Sequence, residues 1–278
     1  MASLQDIATQ IRRDILRMVY DAQSGHPGGS LGCADYFTSL FFKEMKHNPK
    51  FDMNAREEDV FVLSNGHISP VYYSSLARSG YFPVSELTTF RKLNSRLQGH
   101  PATAEHLPGI RIATGSLGQG MSVAIGAALS KRLNKDSHLV YSLHGDGELD
   151  EGQCWEAIMF AAHNKVDNLI STVDWNGLQI DGPTKKVLNT GDLQAKFDTF
   201  GWKTILLNEG NDIEKVCATL QEAKSLTGHG QPVAILMHTI MGKGVDFMEG
   251  DYHWHGTAPN KDQLDNALSQ LPETLGDF

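Results

Sequence analysis

Two glycine-bracketed polar turns, each directly after an apolar run, constrain this chain more than any other feature in it. The first is HGDGELDEG at residues 144 to 152, which follows HLVYSL, a run beginning at His138. That run reads as a buried strand, so Asp146 is expected at its carboxyl end, where open α/β sheets bind ligands. The second is DWNGLQIDG at 174 to 182, which follows NLISTV from Asn168. Its Asn176 lies thirty positions beyond Asp146, about one strand-helix-strand unit, which would bring both side chains to one rim. A carboxylate, an amide oxygen and a backbone carbonyl near Leu178, completed by two diphosphate oxygens, make the all-oxygen octahedron that magnesium requires. Calcium or manganese can substitute on the same donors. Gly145 and Gly147 let the backbone approach phosphates closely. A bare Gly-Asp-Gly is a common turn, so the spacing and the second half carry the reading.

The rest of the chain supplies the frame for such a rim. Leu4, Ile7, Ile11, Ile15 and Met18 recur at helical spacing and predict an amphipathic opening helix that runs into SGHPGG at residues 24 to 29, a glycine-rich stretch expected to be a loop. A second apolar helix is expected over Cys33 to Met45, then a strand from Asp59 (DVFVLS) ending at Asn65-Gly66-His67. Strand signals recur at His138, Asn168, Lys203 and Pro232 with helical patterns between them, the alternation of an α/β fold with a parallel β-sheet flanked by helices. No repeat or low-complexity linker divides the chain, and one domain over 1–278 is the economical reading. At 278 residues with 40% apolar content, one large core is expected.

A formal net charge of −9 with no basic run argues against nucleic acid or an anionic membrane surface as partner. The amino terminus carries charge throughout and does not read as a targeting segment, and no run approaches the length of a membrane span. Cys33, Cys154 and Cys217 are odd in number and widely spaced, which indicates neither a disulfide framework nor a zinc site. A cytoplasmic protein is expected.

His26, His67, His100 and His255 each sit in a glycine-containing loop (SGHPGG, NGH, GHP and WHG), where an imidazole can donate to a phosphate oxygen or move a proton near neutral pH. His47, His106, His138, His163 and His229 read as solvated or structural, and no role is read for His144 or His253. TGSLGQGMSVAIGAALSKRL from Thr114 suits a loop opening into a tightly packed helix, either against another helix or facing a ligand. Glu151 is expected to begin the helix after the acidic turn, with Trp155, Ile158, Met159 and Ala162 on its buried face. The macrodipole alone would explain an acid there. Asp181 reads as a turn former.

The GDG turn, the helix after it and the later asparagine resemble the thiamin diphosphate motif. SGHPGGSLG from Ser24, LSNGH from Leu63, GHP from Gly99, TGSLGQG from Thr114 and WHGTAP from Trp254 are similar, in order, to transketolases. The resemblance covers about residues 4 to 260 and is to the amino-terminal, diphosphate-binding subunit of a split transketolase. It implies the thiamin diphosphate-binding fold of the diphosphate-binding (PP) type, with Asp146, Asn176 and the Leu178 carbonyl on magnesium. His67 and His255 would contact the diphosphate, with Gly145 at the phosphates and Gly147 supplying an amide, while Gly115 and Leu117 approach the aminopyrimidine. Ser116 stands where many members have proline. His26, His100 and His255 would line the substrate channel, with His100 at the donor's terminal hydroxyl and His26 and His255 assisting proton transfer. Glu151 would lie at the subunit interface, among paired acids from two active sites.

In this family a second domain carries the glutamate that meets the aminopyrimidine and the groups that grip the acceptor's phosphate. The resemblance therefore implies a separate carboxyl-terminal, pyrimidine-binding subunit, an α2β2 assembly, and transfer of a two-carbon ketol unit from a ketose phosphate to an aldose acceptor. Pentose phosphates, an apulose-type sugar phosphate and a sulfonated sugar all remain open as substrates. Weaker alternatives are the alpha subunit of a thiamin-dependent 2-oxo acid dehydrogenase, a relative of deoxyxylulose-phosphate synthase, and a non-catalytic regulatory paralogue.

Overall fold

A computed structural model describes residues 2–278 of the chain. Helix α1 (Leu4–Ala22) starts on a capping box in which the Ser3 hydroxyl accepts the Asp6 amide and the Asp6 carboxylate accepts the Ser3 amide. Its apolar stripe, Ile11, Ile15, Met18 and Val19, is fully covered. Then come α2 (Pro27–Gly32), α3 (Ala34–Ser39), a π turn over Leu40–Glu44, β1 (Val60–Leu63) and α4 (Ser69–Arg78). After a long irregular stretch follow α5 (Gln119–Leu133), β2 (Val140–Gly145), α6 (Gly152–His163) and β3 (Leu169–Trp175). A two-stranded hairpin, β4 (Leu178–Gln179) and β5 (Gly182–Pro183), leads to α7 (Thr184–Val187) and α8 (Leu193–Thr199). The chain closes with β6 (Lys203–Leu207), α9 (Ile213–Ser225), β7 (Val233–His238) and α10 (Lys261–Gln270).

Five strands form one parallel sheet in the order β1-β2-β3-β7-β6. Alternate strand residues bury on opposite faces. Phe61, Leu63, Tyr141, Leu143, Ile235 and Met237 join α1, α3, α4 and α9 in one apolar cluster, whereas Val62, Val140, Leu169, Val173 and Leu236 join α5, α6 and α8 in another. The strand order fits the right-handed crossover rule for α5, α6, α8 and α9: β1, β2, β3 and β6 step one way across the sheet, and the return from β6 to β7 carries α9 to the other face. This is the expected parallel sheet wrapped by helices. Its register sets Gly145 opposite Asp174, so the chain leaves β2 and β3 at neighbouring points of one rim.

Three expectations need correction. Part of the glycine-rich stretch is helical: Pro27 opens α2 at a position that needs no amide donor, and the Ser30 hydroxyl donates to the His26 carbonyl. The second helix, expected over Cys33 to Met45, is α-helical only over Ala34–Ser39 and continues without a break as a π turn over Leu40–Glu44. On α6 the buried residues are Cys154, Ala157, Ile158 and Ala161, while Met159 is 56% exposed. The rotation follows from Trp155, whose indole donates to the Leu149 carbonyl and stacks on Phe200 at the side of the helix. All three cysteines are free and buried. Among the described residues, no helix is long and apolar enough to cross a membrane.

Candidate functional site

A cavity of about 200 Å³ opens at the carboxyl rim of β1, β2 and β3. Asp146 is its charged floor. The side chain is buried, one oxygen accepting the Gly147 amide at 2.9 Å and the other the Gly177 amide at 2.8 Å. Burial, reinforced by the Asp174 carboxylate nearby, pushes the Asp146 carboxyl up to about 7. Two neighbouring carboxylates repel each other, and a bound cation would relieve that repulsion. Asn176 is oriented from behind: its Nδ2 donates to Asp174 at 2.8 Å, and its Oδ1 accepts the Leu178 amide at 2.9 Å. Asp174 is itself held by the Thr239 hydroxyl.

These donors fit a hard divalent ion. No group of three or more His, Cys, Asp or Glu side chains able to hold a metal occurs among the described residues. A set with one carboxylate, one amide and one backbone carbonyl is therefore incomplete on its own and suits an ion that shares oxygens with a diphosphate. Orphaned polar atoms point to the same class of ligand: Asn65 Oδ1, His26 Nδ1 and His255 Nδ1 are buried without a hydrogen-bond partner.

The four loop histidines converge although their sequence positions span 26 to 255. The His26 ring centroid lies 5.1 Å from that of His67, 5.4 Å from His255 and 6.2 Å from His100, and His67 lies 5.1 Å from His255. Desolvation is the main reason all four imidazoles sit below their ordinary value, His26 at about 4. The Arg91 charge adds to this at His26 and His100, whereas Asp181 acts in the opposite sense on His255. Near neutral pH the cluster is therefore uncharged, able to donate from one ring nitrogen and accept on the other.

Of the residues singled out from sequence, His26, His67, Gly115, Leu117, Gly145, Asp146, Gly147, Asn176, Leu178 and His255 all line this cavity. His100 stands at its edge. Gly115, at φ +127°, has room for no side chain because a Cβ there would meet His100 Cδ2 at 2.5 Å. Glu151 is apart from the cavity: it is exposed, sits at the cap before α6, and makes no side-chain capping bond. Sequence reasoning missed Asn65, Glu148, Asp174, Gln179 and Met241, which also border the cavity, and the buried His144, 3.7 Å from the Glu148 carboxylate. Only Asp174 carried a signal, as the acid opening the DWNG turn.

A larger groove of about 1270 Å³ runs beside β1 and α5. Two of its four lysines and arginines are committed, Arg111 to Glu58 and Lys131 to Asp136, and it gathers no comparable cluster of histidines and buried acids.

Comparison with known proteins agrees with this geometry. The family model described as transketolase, thiamine diphosphate binding domain, matches residues 3–273. An apulose-4-phosphate transketolase subunit of Actinobacillus succinogenes is 38% identical over 97% of this chain and 96% of its own length. The 6-deoxy-6-sulfo-D-fructose transketolase subunit SqwG of a Clostridium species is 37% identical over 96% of each. A solved transketolase from Campylobacter jejuni superposes with a TM-score of 0.89 at 34% identity, covering 98% of this chain but 43% of that one. A buried Asp-Asn rim, a cluster of neutral histidines and a match along nearly the whole chain lead to one conclusion: the chain belongs to the transketolase family, as its thiamine diphosphate binding domain.

Proposed function

We propose that this chain is a single domain, residues 1–278, that acts as the diphosphate-binding subunit of a two-chain transketolase, transferring a two-carbon ketol unit from a ketose phosphate to an aldose acceptor. The observation that carries the reading is the joint placement of Asp146, Asn176 and the neutral histidines around one rim cavity. Asp146, Asn176 and the Leu178 carbonyl would hold magnesium. His67, His255 and the Gly145–Gly147 backbone would take the diphosphate, and Gly115 and Leu117 would lie along the pyrimidine ring. When bound, thiamin diphosphate supplies the carbon nucleophile of ketol transfer. The protein's part is to orient the ligand, exclude water, and accept or return protons at the ring nitrogens of His26 and His255, with His100 on the donor's terminal hydroxyl.

Two observations support a partner chain. The relatives matched along 96% of their own length carry subunit names. In addition, the cavity of about 200 Å³ is smaller than the ~300–1,000 Å³ usual for a site that encloses its ligand, which fits a site completed by a second surface. That surface would bring the glutamate for the pyrimidine and the groups for the acceptor's phosphate. Two copies of each chain are expected, with the α5 and Glu151 region in the interface.

The test is reconstitution. The purified chain is assayed alone and with a candidate carboxyl-terminal transketolase subunit, on pentose phosphates, apulose 4-phosphate and 6-deoxy-6-sulfofructose. Ketol transfer should appear only with both chains. Robust turnover by this chain alone, with mass spectrometry excluding a co-purified partner, would overturn the two-chain reading.

A further inference from the structure

Two loops reach the rim cavity from separate parts of the chain, Gly145–Gly147 after β2 and Gly115–Gly118 before α5. One side chain joins them. The Glu148 carboxylate accepts the Gly118 amide at 2.8 Å on Oε1 and the Gly145 amide at 3.2 Å on Oε2. Oε1 also accepts the Ser64 hydroxyl, whose oxygen in turn accepts the Gly120 amide at 3.1 Å. Because Ser64 follows β1 directly, this carboxylate ties together the ends of two strands and the first turn of α5.

The junction is buried and close-packed. Glu148 is 2% exposed and His144 is wholly buried, with its Nδ1 3.7 Å from Glu148 Oε1 and its Nε2 2.9 Å from the Ser142 hydroxyl. A buried carboxylate survives only when its donors are held in place, so the donors and the acid fix one another. There is no slack to absorb a shift: a Cβ at Gly120 would lie 2.3 Å from Ser64 Oγ, and one at Gly118, where φ is +86°, 2.7 Å from Gln153 Nε2.

The geometry points to Glu148 as a positioning residue that couples the two loops, so that occupation of the Asp146 turn on the diphosphate side sets the Gly118 amide and the start of α5 on the other. The inference rests on the diphosphate reading of the Asp146 turn. Glu148 lies two residues beyond Asp146 on the same 3-10 turn, and a displacement of that turn must pass to every group the carboxylate holds. A buried acid acting only as a strut would stabilise the fold without passing on anything.

The experiment is hydrogen exchange on the full chain, with and without magnesium and inorganic pyrophosphate, read at the amides of residues 115–124. Binding of the probe to each protein is measured separately by calorimetry. In the unaltered chain the probe should slow exchange at Gly118 and Gly120 by about five-fold, the change that one ordinary hydrogen bond is worth. In Glu148→Gln, which keeps the volume but turns one acceptor into a donor, the probe should still bind and the slowing should vanish. If that variant fails to fold, Ser64→Ala removes one donor from the carboxylate together with the link to Gly120 but leaves the Gly118 and Gly145 bonds, and the slowing should persist at Gly118 and disappear at Gly120. Bound pyrophosphate with no slowing in the unaltered chain, or equal slowing in every variant, would overturn the coupling. Failure of pyrophosphate to bind the unaltered chain would overturn the diphosphate reading and the coupling with it, a result calorimetry identifies by itself.

Discussion

Replacing Asp146 by asparagine should make the metal-free chain more stable at alkaline pH while abolishing its response to magnesium. The Asp146 carboxyl is pushed from 3.8 up to about 7 by burial and the neighbouring Asp174 charge. Because the folded value lies above the unfolded one, the folded chain binds more protons between about pH 4 and 7, and stability falls as pH rises through that window. Three units correspond to a cost of the order of 4 kcal/mol above pH 7. Asparagine carries no charge, but it turns one of the two oxygens facing the Gly147 and Gly177 amides into a donor, a loss of about 1–3 kcal/mol. The net gain above pH 7 is therefore about 1–3 kcal/mol, several degrees in melting temperature for a chain of this size. The gain should shrink as pH falls through that window and be gone near pH 4, where the carboxyl is protonated in both states and, like the amide, turns one oxygen into a donor.

The assay is a set of thermal melts from pH 5 to 8.5 with chelator, repeated with magnesium and pyrophosphate. Magnesium pyrophosphate should raise the melting point of the unaltered chain, less so at pH 6 than at pH 8 because protons compete for Asp146, and should leave Asp146→Asn unmoved. Parallel pH profiles for the two proteins in chelator would refute the electrostatic reasoning. Equal magnesium pyrophosphate shifts in both would refute the metal site.

Four other changes have defined outcomes. His100→Ala, measured in the reconstituted two-chain enzyme, should raise donor KM or lower kcat by the equivalent of about 1–3 kcal/mol with cofactor affinity nearly constant. Loss of thiamin diphosphate binding with normal donor kinetics would mean that His100 serves the cofactor. Within α5, Gly120→Ala should destabilise by about 1–3 kcal/mol through overpacking on Ser64, whereas Gly126→Ala, with nothing within 4 Å of its Cβ, should stabilise by roughly 0.5–1 kcal/mol. Equal effects in denaturant titrations would contradict the close approach of α5 to β1. Near the carboxyl terminus, Arg13 bonds to Asp277 at 2.8 and 2.6 Å and holds its carboxyl down to about 2. This contribution is present above about pH 4 and is lost as pH falls through about 2, so Asp277→Asn should cost about 1 kcal/mol at pH 7 and nothing near pH 2.

Local pattern was enough for the elements and for the rim. Strands β1, β2, β3 and β7 are short apolar runs that the parallel sheet buries on both faces, and the edge strand β6 buries Ile205 and Leu207 while Leu206 faces out, so their sequences mark them without reference to any neighbour. The placement of Asp146 and Asn176 was legible for the same reason: each follows a strand end, and one crossover unit separates them. The glycine-bracketed histidines were legible as loop residues, but not their mutual distances of 5 to 6 Å, which arise only when four loops pack at one end of the sheet. The buried face of α6 was decided by Trp155 docking on Leu149 and Phe200, a contact that helical periodicity cannot contain. Glu148 and His144 are the clearest case. In sequence they are an acid and a histidine beside a turn, as suited to solvent as to the core. What buries them is the set of donors brought from Ser64, Gly118 and Gly145, residues up to 84 positions away, and a charge can be buried only where such partners converge. The sequence alone determined the strands, the turns and the chemistry each loop carries, because these follow from neighbours a few residues apart. The tertiary structure decided which loops meet, which acid is buried and which is solvated, because desolvation and hydrogen bonding depend on groups distant in the chain.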